Sequence, residues 1–393
     1  MRARYSTSTK CCLYYTSLLL FVIVYASPTF SAGAASDDVF EMVPEGEDVQ
    51  ITDIARKTAE LQRRRAELLE DQNSKVLRGV HPKSHGCVVA EFTINTEIPT
   101  EYQTGLFATP GKSYSALIRY SNAAVDLGGD LDGGNGSRGM AIKVFDVEGD
   151  VLISDEGHKN QDFLMINTQR FAFPNVQSYL RLTNALLISP DGTDPNSAFL
   201  QCSDWTPQDI ANKNRSLDVI TEIKKTSMSN PLEAQYFAAA PSRFGDGKAM
   251  KFSVLPCEGA RRAQIIREDQ KGDPNYLHTA LAKTMRDDQD ICLGFSVQIA
   301  TADLINKLRM ESPDDPDPIE DATAEWKQPY IELAKLKIST PQNIDPKEKV
   351  QVACNEHSFN PWHSLQAHQP LGGINRLRKP VYTISDLTRH SAE

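Results

Sequence analysis

Six short runs of the chain alternate apolar and polar residues or gather β-branched ones: CVVAEFTIN (87–95), YSALIRYSN (114–122), GMAIKVFDV (139–147), KFSVLP (251–256), CLGFSVQIA (292–300) and ELAKLKIS (332–339). A period of two predicts strands that bury one face. Glycine-rich turns separate the first three. The period changes in DIARKTAELQRRRAELLED (53–71), where Ile54, Ala59, Leu61, Leu68 and Leu69 make a narrow apolar stripe among charges. That stripe predicts a surface helix packed on a domain. Other helical patterns are confined to about 175–240 and the C-terminal end. Antiparallel strands with segregated helices predict an α+β protein built on a barrel. No internal repeat or low-complexity tract interrupts it.

The first 34 residues stand outside this pattern. Arg2, Arg4 and Lys10 precede the uncharged run LYYTSLLLFVIVYA (13–26), and small residues follow. The run has the length of a signal-peptide core and falls short of a bilayer span. Residues 1–34 are therefore read as a signal peptide cleaved after Ala34, with an uncleaved anchor as the alternative. The chain is expected to be exported to a periplasm or secreted, with no stable membrane span after cleavage. Losing the three positive charges of that segment takes the formal charge from −10 to −13. A balance this acidic lacks the basic face that nucleic acid needs. The densest acidic stretch, SPDDPDPIED (312–321), carries three prolines and reads as a solvated loop.

Seven cysteines become five once Cys11 and Cys12 leave with the signal. Their odd number and wide spacing are no disulfide framework, and at most one or two bridges are expected, with no pairing assignable. No C-x-x-C is present, which argues against structural zinc. Cys87, at a strand start, reads as a small buried apolar residue. DLGGDLDGGNG (126–136) fails as a calcium loop: a loop starting at Asp130 puts Asn135 where glycine is required and Ala141 where glutamate is. His85, His363 and His368 read as structural. The last two are five apart, off the shared face of a helix.

RLRKPVYTISDLTRH (376–390) holds an arginine four residues before a tyrosine, Arg378 and Tyr382. On one helical face the guanidinium can sit against the phenol oxygen. A fixed positive charge there favours the phenolate, a good ligand for ferric iron. The pair is not isolated. RGVH (78–81), RYSN (119–122), RGMAIKV (138–144), NQDFLMI (160–166) with FAFP (171–174), and RLRKPVYTISDLTR occur in that order. Together they resemble the haem catalase family, in its short single-domain, catalase-related branch. The resemblance covers 75–175 and 355–390 well and the region between weakly.

The resemblance implies a catalase-like antiparallel β-barrel of about eight strands, surrounding helices and a buried haem, type b. It divides the chain into the signal, an N-terminal extension with an amphipathic helix (35–73) and a catalase-like haem domain (74–393). His81, three after Arg78, resembles the distal histidine, and Ser121 the serine bonded to its outer nitrogen. Asn160 resembles the distal asparagine, although Gln161 and Asp162 replace the threonine and proline that follow it in the family. A turn-capping role is the alternative for Asn160. Phe173 resembles the haem-contacting phenylalanine. Arg78, Arg119 and Arg389 resemble arginines of the haem side, the first two clamping propionates. Tyr382 resembles the iron ligand, with Arg378 beside it.

The activity implied is decomposition of hydrogen peroxide, with peroxide-driven oxidation of small organic donors such as phenols beside it. The chain ends soon after Tyr382, so a more accessible haem and more peroxidase character are expected. Two alternatives are an allene-oxide-synthase-like rearrangement of organic hydroperoxides and a non-catalytic haem-binding role. Val80, apolar where the rearranging branch has threonine, favours catalase or peroxidase. The resemblance also allows a homo-oligomer.

Overall fold

A computed structural model describes residues 38–68, 76–124, 127–131, 136–155, 157–188, 205–257, 264–287 and 289–390. The signal-like segment and Cys202 lie outside them. Nine strands form one antiparallel sheet: β1 Ser84–Ile94, β2 Ser113–Asn122, β3 Arg138–Val144, β4 Gln161–Ile166, β5 Tyr236–Ala238, β6 Ser242–Arg243, β7 Lys248–Pro256, β8 Ile291–Thr301 and β9 Ile331–Ile338. Neighbours run β5-β4-β3-β2-β1-β9-β8-β7-β6, and a further β5–β7 pairing closes the ring. Eight strands thus make an antiparallel barrel, with the two-residue β6 appended to β7.

Period two explains the agreement with the sequence reading. Along β1, Val88, Ala90, Phe92 and Ile94 turn inward while Val89 and Glu91 are exposed. The barrel interior is aromatic. Phe163 meets Phe295 at 4.7 Å and Phe252 at 5.0 Å between centroids, and Phe92 meets Phe295 at 5.4 Å. Two strands escaped the reading. β4 is buried at every position but Leu164, so it shows no alternation. β5 is three residues long and lies inside the tract read as helical.

The helices pack against the strands and against one another. α1 spans Glu47–Leu68, beginning before the expected Asp53. It packs on α2 (Val176–Ile188) and on the C-terminal α8 (Gly373–His390). Ile54 and Ala55 meet Val176, Ile374, Leu377 and Val381 there. α3 (Pro207–Lys225) starts with a capping box in which Thr206 and Asp209 bond reciprocally. Short helices α4 (Glu268–Lys271), α5 (Tyr276–Thr284), α6 (Ala302–Glu311) and α7 (Lys349–Glu356) complete the set among the described residues. No helix among them is long and apolar enough to cross a membrane.

Two disulfides are present among the described residues, Cys87–Cys354 and Cys257–Cys292. Cys87 is buried as expected, but it is not a free thiol: β1 meets α7 at this point, and the pairing depends on that approach.

Candidate functional site

The loop leading into β1 carries His81 at φ +59°. With Asp146 it is one of two non-glycine residues in the left-handed region among those described. Such a conformation is disfavoured for a residue with a Cβ, by about 1 kcal/mol or more, and persists where the surroundings impose it. Two neighbours on β2 hold it. Ser121 Oγ lies 3.0 Å from His81 Nδ1, and Arg119 Nη2 donates to the His81 carbonyl at 3.0 Å. β3 leaves room for the ring. Gly139 pairs with Ser121 across the β2–β3 ladder, and a Cβ at 139 would lie 2.5 Å from both Cε1 and Nδ1 of His81.

Burial pushes the His81 pKa down to about 3, aided by Arg119, Arg378 and Arg78. The imidazole is therefore neutral across the physiological range. Nδ1 faces Ser121 Oγ, and a backbone hydrogen bond with Asn122 works against the downward shift without cancelling it. A neutral ring with its Nδ1 proton on serine presents Nε2 as a base.

Three arginines crowd the same region. Arg78 Nη2 donates to the carbonyls of Asn355 at 2.8 Å and His357 at 2.6 Å. Arg389 donates to the carbonyls of Asn355 and Glu356 and to Asp386. These carbonyls are the C-terminal end of α7 and the residue after it, where unpaired oxygens and the helix dipole favour cations. The three guanidiniums repel one another. Burial lowers the Arg78 pKa well below its usual value, with Arg119 and Arg389 adding to it; Arg119 falls to about 10 by burial and Arg389. The Arg78 guanidinium lies 5.9 Å from the Phe359 ring centroid, and Arg119 Nε is buried without a hydrogen-bond partner among the described residues. Asp386 is the one carboxylate bonded to this group among the described residues, so three cations stand against one anion there.

α8 supplies a second wall, with Arg378 near enough to His81 to oppose protonation of its ring. Arg378 Nη2 donates to Tyr382 Oη at 3.3 Å, and its guanidinium sits 5.3 Å from that ring's centroid. Nη1 donates to Asn375 Oδ1 at 3.1 Å, which fixes the fork from its other side. Phe173 packs edge-on against Phe171 and Tyr179. Burial pushes the Tyr179 phenol up to about 12, with Tyr382 adding to it, so this aromatic group borders Tyr382. α1 ties the two walls. Gln62 Nε2 donates to the carbonyls of Leu77 at 2.8 Å and Ser385 at 3.2 Å, and Gly79 N reaches Ser385 Oγ at 3.4 Å.

Asn160 stands apart from these contacts, and no hydrogen bond links it to His81 among the described residues. Its Nδ2 donates to Asp155 Oδ2 at 3.1 Å, and its Oδ1 is buried without a partner. Lys143, wholly buried, holds Asp155 at 2.6 Å and Asp162 at 2.9 Å. Burial raises the Asp155 carboxyl, but Lys143 outweighs it and keeps the pKa below the ordinary value. Sequence reasoning missed this network. The substitution of Asp162 for the family's proline was its one signal.

The three histidines read as structural have internal partners. His85 Nε2 bonds Asn122 Oδ1 at 2.9 Å, His363 Nδ1 bonds Asp162 at 3.0 Å, and His368 Nε2 accepts from Leu106 N at 3.0 Å. A cavity of about 390 Å³ opens between Glu356 and His357 on one side and Thr383, Asp386 and His390 on the other, with Asp155 and His363 on its wall. No group of three or more candidate ligands for a metal ion occurs among the described residues.

Solved catalase structures share this fold. A fungal catalase superposes with a TM-score of 0.61 at 14% identity, over 81% of this chain and 60% of its own. Catalase A from Saccharomyces cerevisiae gives 0.58 at 15% identity, over 81% and 62%. A bacterial catalase gives 0.57 at 16% identity, over 93% and 64%. The chain thus spans about three-fifths of the length of these proteins. No protein-family model and no curated protein matches the sequence. At these identities the likeness establishes a catalase-like fold.

Proposed function

We propose that this chain is an exported haem enzyme that decomposes hydrogen peroxide and also uses it to oxidise small phenolic donors. One observation carries the reading. A neutral histidine oriented by a serine stands near enough to the arginine that bonds Tyr382 for that arginine to disfavour its protonation.

The residues fit haem. Tyr382 offers a phenol oxygen for the iron, and Arg78, Arg119 and Arg389 offer cationic donors to the two propionates. The buried, unpartnered Arg119 Nε is what an absent carboxylate would leave. Phe173 lies in the aromatic group bordering Tyr382. When bound, haem b would supply the redox-active iron that cleaves the peroxide O–O bond.

The chain's own part is proton handling. His81 Nε2 accepts the proton of the incoming peroxide and returns it to the departing oxygen. Ser121 accepts the Nδ1 proton and so keeps the basic nitrogen inward. Arg378 donates to the Tyr382 oxygen and holds its positive charge beside it. Asn160 has one amide hydrogen beyond the Asp155 bond, and its unpaired Oδ1 can receive a hydroxyl. Val80 beside His81 keeps that wall apolar, which supports peroxide consumption over hydroperoxide rearrangement.

Two disulfides support an oxidising compartment, in line with export. The test is a hemin titration of the purified apoprotein followed by oxygen release from hydrogen peroxide. Stoichiometric binding with a tyrosinate-type ferric spectrum and oxygen evolution are expected. Tight binding without peroxide turnover would move the protein to haem sequestration, and no binding would end the haem reading.

A further inference from the structure

Arg78 and Arg389 are seated on the C-terminal end of α7. α7 is two turns long, and only Gln351 and Cys354 of its eight residues are buried. A helix this short is not stable by itself in water. Its position depends on what those two side chains do, and both reach Cys87 on β1. Cys354 is disulfide-bonded to it. Gln351 bonds its backbone twice, Nε2 to the Cys87 carbonyl at 2.8 Å and Oε1 from the Cys87 N–H at 2.8 Å.

The residue after Cys354 is Asn355, whose carbonyl receives both Arg78 and Arg389. The next two carbonyls receive one each. Two guanidiniums that repel each other are thereby held on one short strip of backbone. Arg78 spends Nη2 on it, so its Nε and Nη1 N–H groups, which lie on opposite sides of the guanidinium, remain as single donors. Where α7 stands decides where they point.

We propose that the Cys87–Cys354 disulfide and Gln351 are positioning residues for Arg78 and Arg389, setting the geometry in which the chain takes the cofactor's carboxylates. This deepens the haem reading and rests on it. It also makes cofactor retention sensitive to redox state. A dithiol reductant would break the Sγ–Sγ bond, giving up two electrons and two protons to leave thiols on Cys87 and Cys354 and closing into its own disulfide. α7 would then be free to shift, and the arginine pair with it.

The test uses the full-length apoprotein and hemin as the probe. In the Cys87→Ser/Cys354→Ser double variant, the hemin Kd should rise about tenfold or more, the scale of one misplaced charge-assisted pair. The tyrosinate-type spectrum of the bound fraction should be unchanged, because Arg378 and Tyr382 are not on α7. Cys257→Ser/Cys292→Ser removes the other bridge and should leave the Kd at the wild-type value even where it lowers Tm. That split separates positioning from general stability. If the Cys87/Cys354 variant does not fold, Gln351→Ala in the oxidised protein takes its place and should raise the Kd several-fold. An unchanged Kd in the Cys87/Cys354 variant, or in Gln351→Ala where that variant does not fold, overturns this proposal alone. So does an equal rise in the Cys257/Cys292 control. Failure of the oxidised wild type to bind hemin overturns the haem reading and this proposal together.

Discussion

Gly139 and His81 contend for one space: a methyl on residue 139 would stand 2.5 Å from two atoms of the imidazole. The histidine ring has its position because a strand residue has no side chain. Gly139→Ala should force the ring off Ser121 while the tyrosine wall stays intact. Hemin binding is expected to hold while oxygen evolution falls about 10²-fold, within the range for a lost general base. Wild-type turnover in the alanine variant would show that the ring has another way to stand.

His81 and His85 should separate cleanly. His81→Ala removes the residue oriented by Ser121 and should lower peroxide turnover about 10²–10⁴-fold. His85 bonds Asn122 beside buried Asp130, so His85→Ala should lower Tm while turnover of the folded protein stays within a few-fold. Steady-state rates corrected for haem content decide it.

Tyr382→Phe keeps the ring and removes the oxygen to which Arg378 donates. Hemin should bind weakly or with a changed spectrum. Unaltered affinity and spectrum would exclude Tyr382 as the iron ligand.

Stability should depend on pH in a stepped way. His81 and His85 have pKa values near 3 and His368 near 4, all depressed by burial. Below the unfolded value of about 6.5 the unfolded chain takes up these protons and the folded one does not, so stability falls as pH falls. Glu47 and Glu320 act oppositely, since burial raises both to about 7. Their contribution is complete below about pH 4.5 and is lost as pH rises through 7. Between about 4.5 and 6.5 the three histidines outweigh the two carboxyls by one proton; below 4.5 the histidines act unopposed. Tm should fall gently from about pH 6.5 to 4.5 and steeply below it. Glu47→Gln should make the middle window steeper, and a uniform slope in both variants would contradict this assignment.

The barrel's aromatic centre sets its stability. Phe295 touches Phe92, Phe107, Phe163 and Phe252. Phe295→Ala should lower stability by about 3–5 kcal/mol in denaturant titrations. A loss below 1 kcal/mol would mean that the cluster collapses to fill the gap.

The barrel was legible where one strand face is wet. Val89 and Glu91 outside, with Val88 and Ala90 inside, give β1 a period that can be read directly. β4 gave none, because buried Lys143 covers Asp162 on the face that would otherwise meet water. The motifs named His81 with Ser121 and Arg378 with Tyr382, and the fold brings each pair within hydrogen-bond distance. They could not locate Gly139 as the ring's berth, since that depends on strand register. Nor could they pair Cys87 with Cys354, which are 267 residues apart. The arginine platform on α7 is likewise a product of tertiary approach, invisible to spacing.

Gln62 touches both the carbonyl of Leu77, just before the histidine loop, and that of Ser385, one turn past Tyr382. A single amide on α1 therefore acts as a gauge block between the segment that carries His81 and the one that carries Tyr382. The helix that reads as an appendage holds those two segments at a fixed separation. A chain cut back to residue 74 would keep every side chain named for binding or proton transfer and lose the part that spaces them.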